Sequence, residues 1–197
     1  MSTVIRDAAT PFLSALHRQV SRPRGLMAEV GKAVEVAQRD LFLARNREPN
    51  KKNWPKQNFW KKEGFDRTRL DQITDNTALI RISSAAIALK ARGGEILPKR
   101  GKYLSIPLRP EAYGKSPRAR NDRRELFLLK PRSGRRFAIL AKREGKAIRA
   151  HYLLVPRVAV QKDPRAVLPS AEVVTTVNVA AARYLQREIS RLQGGSS

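Results

Sequence analysis

Apolar positions along the chain follow two different periods. From about Leu26 to Arg45, the residues Met27, Val30, Val34, Ala37 and Leu41 recur at steps of three and four, the spacing of one helix face. That stripe predicts a helix packed on a core. A shorter helix is expected before it, opening at Thr10 with Pro11 in its first turn and carrying Leu13, Leu16 and Val20 on one side. A threonine cap followed by proline suits a helix start, and "SRPRG" ends the segment. The helical period returns from about Ala171 to Leu192, where Val174, Val177, Ala181, Tyr184, Leu185 and Ile189 form an apolar face and Gly194 follows the end.

Between these helices the pattern shortens. "TALIRIS" (Thr77 to Ser83), "ELFLLK", "RRFAILAK" and "AIRAHYLLVPRVAV" read as strands. The last three are separated by "PRSG" and "REG", which carry turn chemistry, so an antiparallel meander is expected. "SAAIALKARGG" reads as a short helix ended by glycine, and a helical turn is expected near Arg67 to Ile73. The fold class is therefore α+β, with two N-terminal helices, a mostly antiparallel sheet and a closing C-terminal helix. A single domain is expected over 1–197. It comprises a helical hairpin (1–46), a basic extended loop (47–66), a sheet region with hairpins (67–170) and the last helix (171–193).

One stretch invites a different reading. "RGGEILPKRGKYLSIPL", Arg92 to Leu108, looks like a phosphate-binding loop. However, six residues separate Gly94 from Gly101, and Tyr103 follows Lys102. A Walker loop has a shorter gap and a Ser or Thr after its lysine, to hold magnesium. Two strands around a turn, with Gly101 at positive φ, fit better.

Charge changes the picture more than composition does. The chain carries a formal +24 over 197 residues, which points to nucleic acid or an acidic neighbour as a partner. Between Pro98 and Arg149 there are 17 Lys or Arg against four Asp or Glu, more than half of the net charge in about a quarter of the chain. Lys99, Arg100 and Lys102 sit in one turn. Arg118, Arg120, Arg123 and Arg124 sit in the next loop, and Arg132, Arg135 and Arg136 at the turn after it. Gathered at one edge of a sheet, these residues would form a basic rim facing DNA or a protein partner.

A second candidate lies in "NREPNKKNWPKQNFWKKEGF", Asn46 to Phe65, where lysines alternate with Trp54, Phe59 and Trp60. Such aromatics stack bases in single-strand grooves. They equally pin a long loop to its own core or to a neighbouring subunit, the reading favoured here.

Catalytic signals are sparse. There is no cysteine, which excludes disulfides and thiolate metal sites. His17 and His151 lack a partner at metal-ligand spacing. Asp66, Asp71 and Asp75 could be imagined around magnesium, but capping and surface roles explain them as well. No motif joins nucleophile, base and stabiliser, so neither an enzyme nor any cofactor or metal is expected. No apolar run is long enough to span a membrane, and "MSTVIRDAATPF" lacks the form of a signal peptide.

The order of motifs adds a family likeness. "GLMAEVGKAVEVAQRDLF", a basic loop with "NW", "AAI" followed by "GG", "ILPKRGKYLSIPL", and the later "YLLVPRVAVQKDPRAVLPS" before a final helix together resemble the phage virion-morphogenesis family. These are the Mu-type and P2-type tail-completion and head–tail joining proteins. The resemblance covers roughly Leu16 to Leu192. Departures fall at Ser84 and Ala88 around "AAI", and in "DRTRL", Asp66 to Leu70. The resemblance implies a non-enzymatic structural protein of the virion neck or tail end, assembled in the bacterial cytoplasm. It would form a ring homo-oligomer, a hexamer, around the DNA path, with connector and tail proteins as partners and non-specific DNA contact in the lumen. A freestanding, sequence-independent nucleic-acid-binding protein, ribosome- or nucleoid-associated, is the alternative.

Overall fold

A computed structural model of the protein describes residues 10, 13–14, 17, 23–49, 52, 54–55, 57–117, 125–130 and 137–194. The helix stripe that begins at Met27 lies in α1, Arg24–Arg47, and the last stripe in α3, Ser170–Gly194. Between them lie the short helix α2, Ala85–Arg92, and eight strands. The strands are β1 (Thr68–Ile73), β2 (Ala78–Ile82), β3 (Gly94–Ile96), β4 (Leu104–Pro107), β5 (Leu126–Leu129), β6 (Ala138–Glu144), β7 (Ala147–Val155) and β8 (Val158–Val160). All pairings are antiparallel, and the class is α+β. Of the expected first helix, Thr10, Leu13, Ser14 and His17 are helical, and the rest lies outside the described residues.

The chain divides into two compact units. The first holds α1 as far as Arg45, Trp60–Ser84 and the chain from Val167, including α3. Its core is centred on α1, where Val30, Gly31, Val34, Glu35, Gln38 and Phe42 are buried. Gly31 is required by a close approach to the β1–β2 hairpin: a Cβ there would stand 2.7 Å from Ala78 Cβ and 2.9 Å from Leu70. α3 meets α1 through Tyr184, whose Oη would lie 2.7 Å from a Cβ on Gly25. Arg187 donates to Glu29 across the same helices at 3.2 Å. That hydrogen bond, and then the Glu29 charge, raises the Arg187 guanidinium above its ordinary pKa.

Two polar side chains of α1 share this core. Gln38 Oε1 accepts the backbone N–H of Leu168 at 2.9 Å. Glu35 is held by Lys32 at 2.7 Å and Arg39 at 3.4 Å. A buried carboxylate needs such partners to offset its desolvation.

The second unit holds Asn46–Phe59 and Ala85–Ala166. Its main sheet has the order β4-β7-β6-β5, and β3 pairs with β8 in a separate two-stranded sheet. Tyr152 and Ala141 are buried at its centre. α2 ends at Gly93, with φ of +76° and its N–H bonded to Leu89 O at 2.8 Å, as the glycine stop predicts.

Four expectations need correction. Thr68–Ile73 is a strand paired with β2, not a helical turn, because the backbone N–H and C=O groups of β2 need a ladder partner. β3 and β4 do not form a hairpin. Gly101 does have a positive φ, +86°, but β3 takes β8 and β4 takes β7 as partners. The segment 47–66 is not extended throughout, since Trp60–Gly64 coils as a π-helical turn and Phe65–Arg67 as a 3-10 turn. On α3 the expected face packs only in part: Val177, Ala181, Tyr184 and Ile189 are half-buried beside the buried Ala180 and Glu188, while Val174 and Leu185 are exposed.

Candidate basic interaction surface

The loop from Leu97 to Tyr103 joins β3 in one sheet to β4 in the other, so it belongs to neither ladder. Lys99, Arg100 and Lys102 are exposed on it. With the main sheet the loop frames an open groove of about 860 Å³, lined by these three cations, Tyr103 and Leu104. Its floor is Leu126 on β5, Leu140 on β6 and Leu154 on β7. The register places those three leucines on one sheet face: Leu128 opposes Leu140, and Ala138 opposes Leu154. The groove therefore has an apolar floor and a cationic loop, and no acidic side chain lines it among the described residues. Arg118, Arg120, Arg123, Arg124, Arg132, Arg135 and Arg136, the remainder of the expected rim, lie outside the described residues.

The aromatic stretch has its rings engaged within its own units. Trp60 stacks on Phe42 with centroids 6.1 Å apart and planes at 17°, and the Arg45 guanidinium covers the Trp60 ring at 4.1 Å. Gly64 must be glycine for Phe42 to sit there, because a Cβ would stand 2.5 Å from the ring. In the second unit Trp54 meets Tyr113 edge-on at 5.4 Å, and Lys52 lies 4.4 Å from the Trp54 centroid. Lys90 lies 5.6 Å from the Phe59 ring. Rings held against core partners and their own cations are poorly placed to take up bases.

β5 stands at one end of the main sheet. Phe127, Leu128 and Leu129 on it are 36%, 48% and 38% exposed. The opposite edge strand, β4, is blunted by Pro107, which has no N–H to offer. β5 has no such device within Leu126–Leu129. The sequence signal for this edge was present in "ELFLLK", whose unbroken apolar run suits a strand covered on both faces.

For catalysis, Asp71 is occupied by Arg81 at 2.6 Å and Arg69 at 3.6 Å. His151 Nε2 lies 3.3 Å from Glu144 Oε1. No group of three or more His, Asp or Glu is placed to hold a metal ion among the described residues, and no helix among them is long and apolar enough to cross a membrane. No family model, curated protein or solved structure matches the chain.

Proposed function

We propose that the chain is a structural protein of a tailed phage or prophage particle, a ring at the neck or tail end that joins head to tail around the DNA path. The observation that carries this reading is the edge strand β5, which no strand among the described residues covers on its outer side. An exposed, apolar, unblunted edge pairs readily with another chain. Repetition of one contact around an axis covers it in every copy. The charge of +24 supports a polyanion on the axis, since a ring repeats the same basic excess and self-repulsion then grows. The cationic groove supports contact with acidic neighbours. The motif order from Leu16 to Leu192 supports the same role.

The test is in vitro completion of particles assembled without this chain, scored by infectivity and microscopy. Native protein restores joined particles. Leu128→Glu, on the exposed face of β5, folds but fails to restore them. Normal completion by the folded variant would contradict the reading. A freestanding nucleic-acid-binding protein remains the alternative, favoured by the exposed Lys99, Arg100 and Lys102, and it predicts tight DNA binding by a monomer.

A further inference from the structure

The ribbon formed by β6 and β7 runs past both of its neighbours. β4 pairs with β7 only from Tyr152 to Val155, and β5 pairs with β6 only from Ile139 to Lys142. From Arg143 to Arg149 no strand lies beside the ribbon among the described residues. The arm begins at a bulge, where the register jumps between Leu140 and Ala141 and leaves His151 as the extra residue. Bulges bend and twist a strand pair. This one is braced by Leu108 N–H donating to His151 O at 2.8 Å and Arg109 Nε to Ala150 O at 3.2 Å.

Beyond the bulge, Lys142 opposes Arg149, Arg143 opposes Ile148 and Glu144 opposes Ala147. The two-residue period then sorts the side chains onto faces. One face carries Lys142, Glu144 and Arg149, and it neutralises itself. Lys142 pairs with Glu125, and Arg149 Nε lies 3.1 Å from Glu144 Oε2. The other face carries Arg143 beside Ile148, with Lys146 at the Gly145 turn. Ile148 is 53% exposed, and both cations are exposed with no acidic partner among the described residues. Gly145 adopts φ of +61° with nothing within 4 Å of where a Cβ would stand, so the tip is open.

We propose that this second face of the β6–β7 arm contacts duplex DNA, with Arg143 and Lys146 on phosphates and Ile148 against base edges in the major groove. A two-stranded ribbon fits the B-form major groove, about 12 Å wide. The A-form major groove of duplex RNA is too narrow to be read this way. The only acid on the arm, Glu144, is already occupied, so nothing on the contacting face repels phosphate. A second copy of this chain would bring like charge to the arm, whereas an exposed isoleucine between two cations matches a thymine methyl between two phosphate rows. The inference stands on the arm alone and applies whether or not the chain closes into a ring.

The experiment measures binding of the full chain to a labelled mixed-sequence DNA duplex and to its RNA counterpart by fluorescence anisotropy across a salt series. The native chain binds the DNA duplex more tightly than the RNA. Arg143→Gln with Lys146→Gln lowers affinity roughly tenfold and flattens the log–log salt slope by about one per cation removed. Ile148→Ser lowers affinity while leaving the slope unchanged. An unchanged affinity and slope in the double variant, with its circular dichroism intact, overturns the inference. So does a double variant that keeps DNA binding but loses oligomer mass in light scattering, which would assign the arm to a protein neighbour.

Discussion

Trp54, Phe59 and Trp60 sit among lysines in one stretch of the chain, much as Ile148 sits among Arg143, Lys146 and Arg149 in another. The structure uses the two mixtures in opposite ways. In the first, rings and cations satisfy one another: Arg45 covers Trp60 and Lys52 covers Trp54, and Phe42, fully buried, stacks on Trp60. In the second, one ribbon face spends its cations on Glu125 and Glu144, and the other leaves Arg143, Lys146 and Ile148 facing solvent. Basic residues interleaved with apolar ones therefore do not identify a nucleic-acid surface by themselves. What separates the two cases is whether the groups already have partners within the fold.

The largest expected effect breaks the first region. Phe42→Ala removes a side chain with no exposure, and such a change costs about 3–5 kcal/mol. Chemical denaturation should show that loss, with Trp60→Ala, half-buried, costing less. Neither change, at temperatures where the variant is folded, should alter the salt slope of DNA binding. A slope that falls with Trp60→Ala would return the aromatic stretch to the interaction surface.

The next effect sharpens the packing claim. Gly64→Ala introduces a Cβ 2.5 Å from the Phe42 ring, and overpacking of this kind costs about 1–3 kcal/mol. Combined with Phe42→Leu, which makes room, the penalty should shrink, because the two residues share one contact. Additive losses in a double-mutant cycle would mean that the ring is not what Gly64 accommodates.

The smallest effect concerns the self-neutralised ribbon face. Glu144→Gln releases Arg149, and since the pair is exposed its effect on stability is about 0–1 kcal/mol. Duplex affinity and its salt slope should match those of the native chain, because the proposed contact lies on the opposite face of the ribbon. A steeper slope for the variant would place the Arg149 face on DNA instead.

The long helices were legible in the sequence because a period of three and four repeats over many residues. Their exact faces were less so. Gln38 and Glu35 are buried in α1, where Leu168 N–H reaches Gln38 Oε1, Gln38 Nε2 is left without a partner, and Lys32 and Arg39 hold Glu35; an apolar stripe cannot register that. α3 has more apolar residues than one packed face can use, so Val174 and Leu185 remain outside. The supposed β3–β4 hairpin failed for a different reason. Its turn glycine was read correctly, but strand partners are chosen by segments far along the chain, here β7 and β8. Of the expected basic rim, Lys99, Arg100 and Lys102 line one groove. The arm was missed because "AKREGKAIR" shows its charges but not which of them Glu144 and Glu125 absorb.

The central claim is that this chain works as a repeated part of an assembly around DNA, and direct imaging of the purified full chain tests it. Electron microscopy over a range of concentrations, with mass measured in parallel, should show closed rings of uniform copy number with an open centre. Leu128→Glu should dissolve the rings while leaving the far-ultraviolet circular dichroism unchanged. A native chain that stays monomeric at every concentration, and binds duplex DNA tightly in that state, would contradict the claim.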